Sequence, residues 1–125
     1  MPQTTFPVEV ISGVPVIAAP EEIDITNAVG LRAALLDAAA QGNGTLVVDM
    51  SQTRFCDSAA LNVLVRAHQR AKAEGGEVHL VISAADVLRI FAVTGIGRVI
   101  PCFLSMEEAL AQTPAAPVHP ALPAT

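Results

Sequence analysis

The sequence predicts an α/β domain in which about four helices cover a mixed five-stranded sheet. Runs of β-branched residues alternate with stretches whose apolar residues recur every three or four positions. Two adjacent β-rich runs lie on either side of Gly13 near the start of the chain. Each later pair of strands is separated by a segment of helical length. The chain therefore predicts an N-terminal hairpin followed by parallel βαβ units.

Composition excludes several classes of protein. The chain has 125 residues, of which 52% are hydrophobic and 15% charged, which is typical of one folded domain. A net charge of −5 and the lack of Trp and Tyr argue against a nucleic-acid partner. The sequence shows no secretory signal and no apolar run long enough to span a membrane. We expect a cytoplasmic protein in which Cys56 and Cys102 are reduced.

The first half of the chain predicts a hairpin, a loop and a helix. The hairpin comprises residues 6–12 and 14–19, with Pro15 placed at an edge or a bulge because it lacks a backbone donor. Residues 19–25 form an acidic loop. Thr26 or Asn27 then caps a helix that ends at the turn 42–44. Its core-facing stripe contains Ala28, Leu31, Leu35 and Ala38.

The central segment, Thr45–Lys72, predicts a strand, a connector over residues 51–56 and a second helix. The strand is the apolar run that starts at Leu46 and ends at Asp49 and Met50. Ser58 precedes the apolar residues of the helix, as an N-cap does. We expect one helix face to be buried, with Leu61, Leu64, Val65, His68 and Ala71, and another to be solvated, with Asn62, Arg66 and Arg70.

The last third predicts two strands, two helices and a tail. After Gly75-Gly76 ends the second helix, residues 77–82 form a strand, and Ser83 caps a helix that Gly95 closes. Residues 98–104 form an edge strand containing Pro101. A capping box, Ser105 to Glu108, opens a helix to about residue 111. We assign residues 1–112 to the domain and residues 113–125, which carry four prolines, to a disordered tail.

Ser58 is the candidate functional residue, and two interpretations apply to it. In one it is only a helix cap, which is worth about 1 kcal/mol. In the other it is a phosphoacceptor, because the N-terminus of a helix tolerates an anion and a phosphate there would alter whatever docks nearby. Glu21, Glu22 and Asp24 form either a solvated acidic loop or part of that contact.

Catalytic and metal sites are not predicted. Asp49 could be the phosphoacceptor of a receiver domain, but the first strand is not followed by an acidic pair and the one lysine is Lys72. His68 lies nearly three helical turns, or about 15 Å along the axis, beyond the cap at Ser58, which is too far for it to act as a base for Cys56. The histidines and cysteines show no spacing typical of metal ligands. We therefore expect no enzyme activity, no metal and no cofactor.

The segment from Leu46 to Leu61 resembles the signature of STAS domains, and more closely that of bacterial anti-sigma-factor antagonists. That pattern is an apolar strand ending in Asp, a loop with an apolar residue, and then Asp-Ser followed by a Leu. Similar motifs extend the resemblance from Val8 to Leu110; they include Glu22-Ile23-Asp24, Gly75-Gly76-Glu77 and Thr94-Gly95-Ile96. The chain departs from the family at Ala60, where glycine is usual, and at Pro20-Glu21-Glu22.

The resemblance implies a phosphorylation switch. The unphosphorylated antagonist would bind an anti-sigma factor that is also a serine kinase of the GHKL type, and so release a sigma factor. Phosphorylation of Ser58 would end that binding, and a PPM-type phosphatase would restore it. We expect partner contacts at Asp24, Asp57, Ser58, Ala59, Ala60 and Asn62.

Two other interpretations stay open. The protein could be a constitutive STAS adaptor in a larger assembly, such as a stressosome-like scaffold or a lipid-transport complex, with Ser58 acting only as a cap. A small-ligand-binding STAS module is a further alternative, although no residue in the sequence marks a pocket for a nucleotide or a lipid.

Overall fold

The computed structural model describes residues 6–41 and 44–113. The strands are β1 Val8–Ile11, β2 Val14–Ala18, β3 Glu22–Ile23, β4 Leu46–Met50, β5 Phe55–Cys56, β6 Val78–Ile82 and β7 Cys102–Phe103. The helices are α1 Ala28–Gln41, α2 Ser58–Ala73, α3 Ala85–Thr94, α4 Ile96–Val99 and α5 Met106–Ala111.

The main sheet has the predicted mixed topology. Its five strands lie in the order β1-β2-β4-β6-β7; β1 and β2 are antiparallel, and the other neighbours are parallel. Ser12 and Gly13 close the hairpin with φ of 52° and 80°, the positive values that a two-residue primed turn requires. Pro15 pairs with Val10 of β1 but precedes the pairing of β2 with β4, which begins at Val16. Its missing donor therefore interrupts no bond to β4.

Both faces of the sheet are covered, which explains why its central strands are continuously apolar. On one face, Val48 of β4 and Leu80 of β6 pack with Leu35 of α1, Leu64 of α2 and Phe91 of α3. On the other face, Val16, Val47 and Val81 pack with Ala109 of α5. The predicted stripe of α1 is buried as expected, and Asn62, Arg66 and Arg70 of α2 are exposed.

Three short elements differ from the sequence predictions. The acidic loop and the connector contain β3 and β5, which pair in parallel as a separate two-stranded sheet. The predicted strand over residues 98–104 is wrong in its first part, because the chain makes the helical turn α4 directly after Gly95. Ile96 and Ile100 pack into the core from that turn, which leaves only Cys102–Phe103 to pair at the sheet edge.

The helix caps were predicted with mixed success. Ser105 caps α5 as expected, since its hydroxyl accepts a hydrogen bond from the Glu108 N–H at 3.1 Å. The carboxylate of Glu108 accepts from the N–H of Leu104 at 3.3 Å. The prediction that Ser83 caps α3 was wrong, because Ala84 occupies the N-cap position and its side chain forms no cap hydrogen bond.

Thr113, which the sequence assigned to the tail, is 3% exposed. Its hydroxyl donates to the Ala109 carbonyl at 2.7 Å and is hydrogen bonded to the buried His79 ring. His79 also contacts the Glu77 carboxylate, at 2.6 Å. The packed structure thus includes Thr113. The predicted turn residues 42–43 and the predicted tail residues 114–125 lie outside the described residues.

The connector between α2 and β6 yields a stability prediction. A Cβ at Gly76 would lie 2.3 Å from the backbone carbon of Gly44, whereas a Cβ at Gly75 meets nothing within 4 Å. We expect Gly76→Ala to lower the free energy of unfolding by about 3 kcal/mol or more. Gly75→Ala, where φ is +89°, should cost only about 1–2 kcal/mol for the left-handed backbone. Urea unfolding of both variants measures the two costs, and equal losses would contradict this account of the contact.

A second prediction concerns pH and the buried His68. Burial is the main cause that lowers the pKa of this ring from its usual 6.5, and the ring nitrogen accepts a hydrogen bond from the Val78 N–H at 3.2 Å. The unfolded chain therefore binds a proton at His68 more readily than the folded one, so stability is lost as the pH falls through 6.5. Between about pH 7.5 and about pH 5.5 the unfolding free energy of the parent chain should decrease. We expect a smaller decrease in His68→Gln, which has no titrating ring at this position. Equal decreases in the two proteins would contradict it.

Candidate functional site

The β3–β5 sheet brings two distant parts of the sequence together. Glu22 pairs with Phe55, and Ile23 pairs with Cys56. The backbone bonds continue on both sides, from the Arg54 N–H to the Glu21 carbonyl at 2.7 Å and from the Asp57 N–H to the Ile23 carbonyl at 3.1 Å. The acidic loop before α1 is thereby held against the segment that enters α2.

Asp57 is the residue that joins these segments through its side chain. Oδ1 accepts a hydrogen bond from the Ala60 N–H at 3.0 Å, which makes Asp57 the N-cap of α2. Oδ2 accepts from the Ile25 N–H, also at 3.0 Å. The prediction that Ser58 is the cap was wrong, because Asp57 has the extended backbone of a cap residue and Ser58 is the first residue of the helix.

Asp24 organises the loop on the other side of this contact. Its carboxylate accepts from the N–H of Thr26 at 2.9 Å and from the Thr26 hydroxyl. Its own N–H donates to the Asn27 side chain at 2.9 Å. The bond from the Thr26 hydroxyl is the main cause that lowers the pKa of Asp24, so this carboxyl is ionised at neutral pH. Asp24 and Asp57 are thus both engaged in holding the backbone.

Ser58 is exposed beside this network, in the first turn of α2. Within residues 6–41 and 44–113, no group forms a hydrogen bond with its hydroxyl. Asn62, one turn further along the helix, is also exposed, and its side chain accepts from Nε of Arg66 at 3.1 Å. The structure therefore presents both side chains to solvent on the same side of α2.

The two alanines that follow Ser58 differ in accessibility. Ala59 is half-buried, whereas Ala60 is fully buried in the core. Ala60 is therefore a correction to the predicted partner contacts, since its side chain points away from the surface. The methyl group of Ala60 therefore faces the core and not the surface around Ser58.

The sequence did not predict a second contact that holds the acidic loop, the hydrogen bond of Thr53. Thr53 is fully buried, and its hydroxyl donates to the Pro20 carbonyl at 2.8 Å. Its N–H donates to the Met50 carbonyl at 3.0 Å. A threonine between two polar residues in a connector gave no signal of burial. The contact fixes the acidic loop to the end of β4.

The exposed apolar residues near the site were also missed. Ile25 is 73% exposed and Phe55 is 48% exposed. Ile25 follows Asp24, and its backbone N–H donates a hydrogen bond to the Asp57 carboxylate. Phe55 is two residues before Asp57. Together with Ser58 they make up what we call the Ser58 surface. These exposed apolar side chains are available to pack against a protein partner.

The described residues at this site include no activated thiol and no cluster that could hold a metal ion. Burial, with a smaller effect of Asp57, raises the pKa of the Cys56 thiol to about 11, so this cysteine is protonated at neutral pH. Asp49, the residue of the receiver alternative, accepts a hydrogen bond from the Ser51 N–H at 3.0 Å. Among the described residues, no group of three or more His, Cys, Asp or Glu side chains is placed to hold a metal ion.

Comparison with known proteins identifies the family. The model of the STAS domain matches residues 5–109. The chain belongs to the STAS domain family. A search of curated proteins found no match for the sequence.

Several solved structures share this STAS fold. An anti-sigma factor antagonist from Mycobacterium paratuberculosis is 28% identical with a TM-score of 0.77, covering 86% of this chain and 91% of that one. A STAS domain protein from Planctomyces limnophilus is 23% identical with a TM-score of 0.78, covering 86% and 97%. The antagonist SpoIIAA in its unphosphorylated form is 23% identical with a TM-score of 0.71, covering 86% and 95%. The Bacillus SpoIIAA structure is also known in its phosphorylated form.

The described part of the STAS domain contains no helix that is both long enough and apolar enough to cross a membrane.

The division of roles between Asp57 and Ser58 gives a prediction. We expect Asp57→Ala to lower the free energy of unfolding by about 1–2 kcal/mol, because it removes a cap and leaves the Ile25 N–H without its acceptor. Ser58→Ala, at an exposed position, should change it by no more than about 0.5 kcal/mol. Chemical denaturation of the two variants measures both values. A loss in Ser58→Ala as large as that in Asp57→Ala would show that the serine is the structural residue.

Proposed function

We propose that this STAS protein is an anti-sigma-factor antagonist that is controlled by phosphorylation of Ser58. In the unphosphorylated form it binds an anti-sigma factor that is also a serine kinase of the GHKL type, and a sigma factor is released. Phosphorylation of Ser58 ends that complex, and a PPM-type phosphatase restores the binding form. In this role the protein is a substrate and a regulator of transcription, not an enzyme.

The observation that carries the proposal is the placement of Ser58. Its hydroxyl is exposed, while the neighbouring Asp57 supplies the cap that the helix requires. A kinase can therefore phosphorylate the hydroxyl without breaking a hydrogen bond that stabilises the fold. In the constitutive adaptor alternative, Ser58 would act only as the helix cap. Because Asp57 occupies the cap position, that role does not account for a serine at position 58.

The local charges explain how a phosphate would act. A phosphoryl group adds about −1.5 to −2 charges at neutral pH. The free N–H groups of the first turn of α2 favour this charge, whereas the carboxylates of Asp24 and Asp57 oppose it. The fold can accommodate the modification, and its main effect falls on a partner that contacts Ile25 and Phe55 next to it. Such a partner must either give up its contact with these apolar side chains or remove the phosphate charge from water, and both weaken the complex.

Intact-mass spectrometry tests the site of modification. The purified protein is incubated with Mg-ATP and each candidate anti-sigma kinase from the same cell. We expect one phosphate per chain, no uptake in Ser58→Ala, and full uptake in Ser83→Ala, in which another exposed serine near the start of a helix is removed. Binding of a kinase without phosphate transfer would favour the adaptor, and transfer that persists in Ser58→Ala would contradict the assignment of the site.

Binding measurements test the switch itself. We expect Ser58→Glu to weaken binding to the cognate kinase at least about tenfold, because it places a charge in the contact. Ser58→Ala should bind as tightly as the parent chain, because the hydroxyl is lost without a new charge. Equal affinity of the Glu variant and the parent would contradict the proposed release step.

A further inference from the structure

A groove between α1 and α2 lies apart from the Ser58 surface. It encloses a cavity of about 260 Å³. Its lining includes Leu35 and Ala39 of α1 and Ala67 of α2. Leu46 and Val78, the first residues of β4 and β6, are buried beneath them and form its floor. Because Ala39 and Ala67 have small side chains, they leave unfilled space between α1 and α2 above the floor. The volume is just below that of sites for drug-sized molecules, so a smaller ligand fits it.

The mouth of this groove concentrates positive charge on an acidic protein. The chain carries 7 Lys and Arg against 12 Asp and Glu. Three of those basic residues line the groove: Arg32 of α1, and Arg66 and Arg70 of α2. Glu74 is the one acidic residue of the lining, and its carboxylate lies 3.6 Å from Arg70, with both side chains more than half exposed.

Two of the three guanidinium groups remain free to bind an anion. Over the described ranges, residues 6–41 and 44–113, neither Arg32 nor Arg66 lies in ion-pair contact with a carboxylate. Arg66 donates from Nε to Asn62, which leaves its terminal N–H groups available. An arginine pair above an apolar floor matches a molecule with an anionic head and a short apolar chain.

We propose that this groove binds a medium-chain carboxylate, such as the anion of a fatty acid of about eight carbons. The head pairs with Arg32 and Arg66, and the chain lies along Ala39 and Ala67 toward the sheet. The carboxylate is held by the terminal N–H groups of Arg66, so the bond from Nε to Asn62 is retained. Asn62 lies one turn from Ser58, so the occupied groove fixes Arg66 on the helix that carries the serine.

Titration with octanoate, followed by calorimetry or amide NMR shifts, tests the proposal. We expect saturable binding with shifts confined to the groove, and an affinity that rises about fourfold for each methylene from butanoate to octanoate. Octanol and octylamine should bind at least about tenfold more weakly, because they lack the anionic head. Binding that is independent of chain length, or that is equal for octylamine, would overturn the proposal.

Matched variants test the assigned residues. Arg66→Gln should weaken octanoate binding about tenfold. Arg89→Gln, an exposed arginine of α3 outside the groove, should leave it unchanged. Ala67→Leu should block the groove; if that variant unfolds, Arg32→Gln provides the same test from the opposite helix. Equal weakening by Arg66→Gln and Arg89→Gln would show attraction by general charge instead of a site.

A vesicle experiment distinguishes the sources of the anionic amphiphile. Vesicles of phosphatidylglycerol present acidic heads whose acyl chains stay in the bilayer, whereas octanoate in solution can enter the groove. We expect no sedimentation of the protein with these vesicles and saturable binding of free octanoate. If the parent chain binds the vesicles, Arg66→Gln does not, and free octanoate does not bind, the proposal is overturned. The arginines would then bind a membrane surface and not a free carboxylate.

Discussion

The carboxylate of Asp57 joins two parts of the domain that are 32 residues apart in sequence. One oxygen accepts from the first turn of α2 and the other from the loop that leads into α1. Because each accepted bond satisfies a backbone donor that would otherwise be open to solvent, both the helix end and the loop conformation depend on this one side chain. The β3–β5 pairing and the buried Thr53 hold the same loop from behind.

Two neighbouring residues differ in what they contribute here. Asp57 accepts the bonds that shape the Ser58 surface, whereas the side chain of Ser58 is exposed on it. In the regulatory function proposed above, modification of Ser58 changes the charge of a surface that already exists and needs no rearrangement of the core. The arginine-lined groove lies on the same helix, and Arg66 and Asn62 connect it to the exposed side of α2 that begins at Ser58. A small anion and a phosphate would then act on one helix from two positions.

The sequence was most informative where burial imposes a period. The stripe of α1, the apolar runs of β4 and β6 and the glycines after α2 predicted the mixed sheet and most of the helix positions, because each depends on local pattern and on turn chemistry. The pattern could not reveal contacts between distant segments. The two-residue strands β3 and β5 are too short to show alternation, and Asp57 and Ser58 are both good cap residues, so only the backbone geometry tells them apart. Ala60 was expected at the partner contact because of the resemblance to anti-sigma-factor antagonists, but its position on α2 places it in the core.

Amide hydrogen exchange at Ile25, followed by NMR, tests most directly whether Asp57 holds the site. The Ile25 side chain is exposed, so the bond from its N–H to Asp57 is the contact expected to protect the amide. The account predicts a protected amide in the parent chain and in Ser58→Ala, and faster exchange by at least about tenfold in Asp57→Ala. An Ile25 amide that exchanges at the same rate in Asp57→Ala as in the parent chain would contradict it.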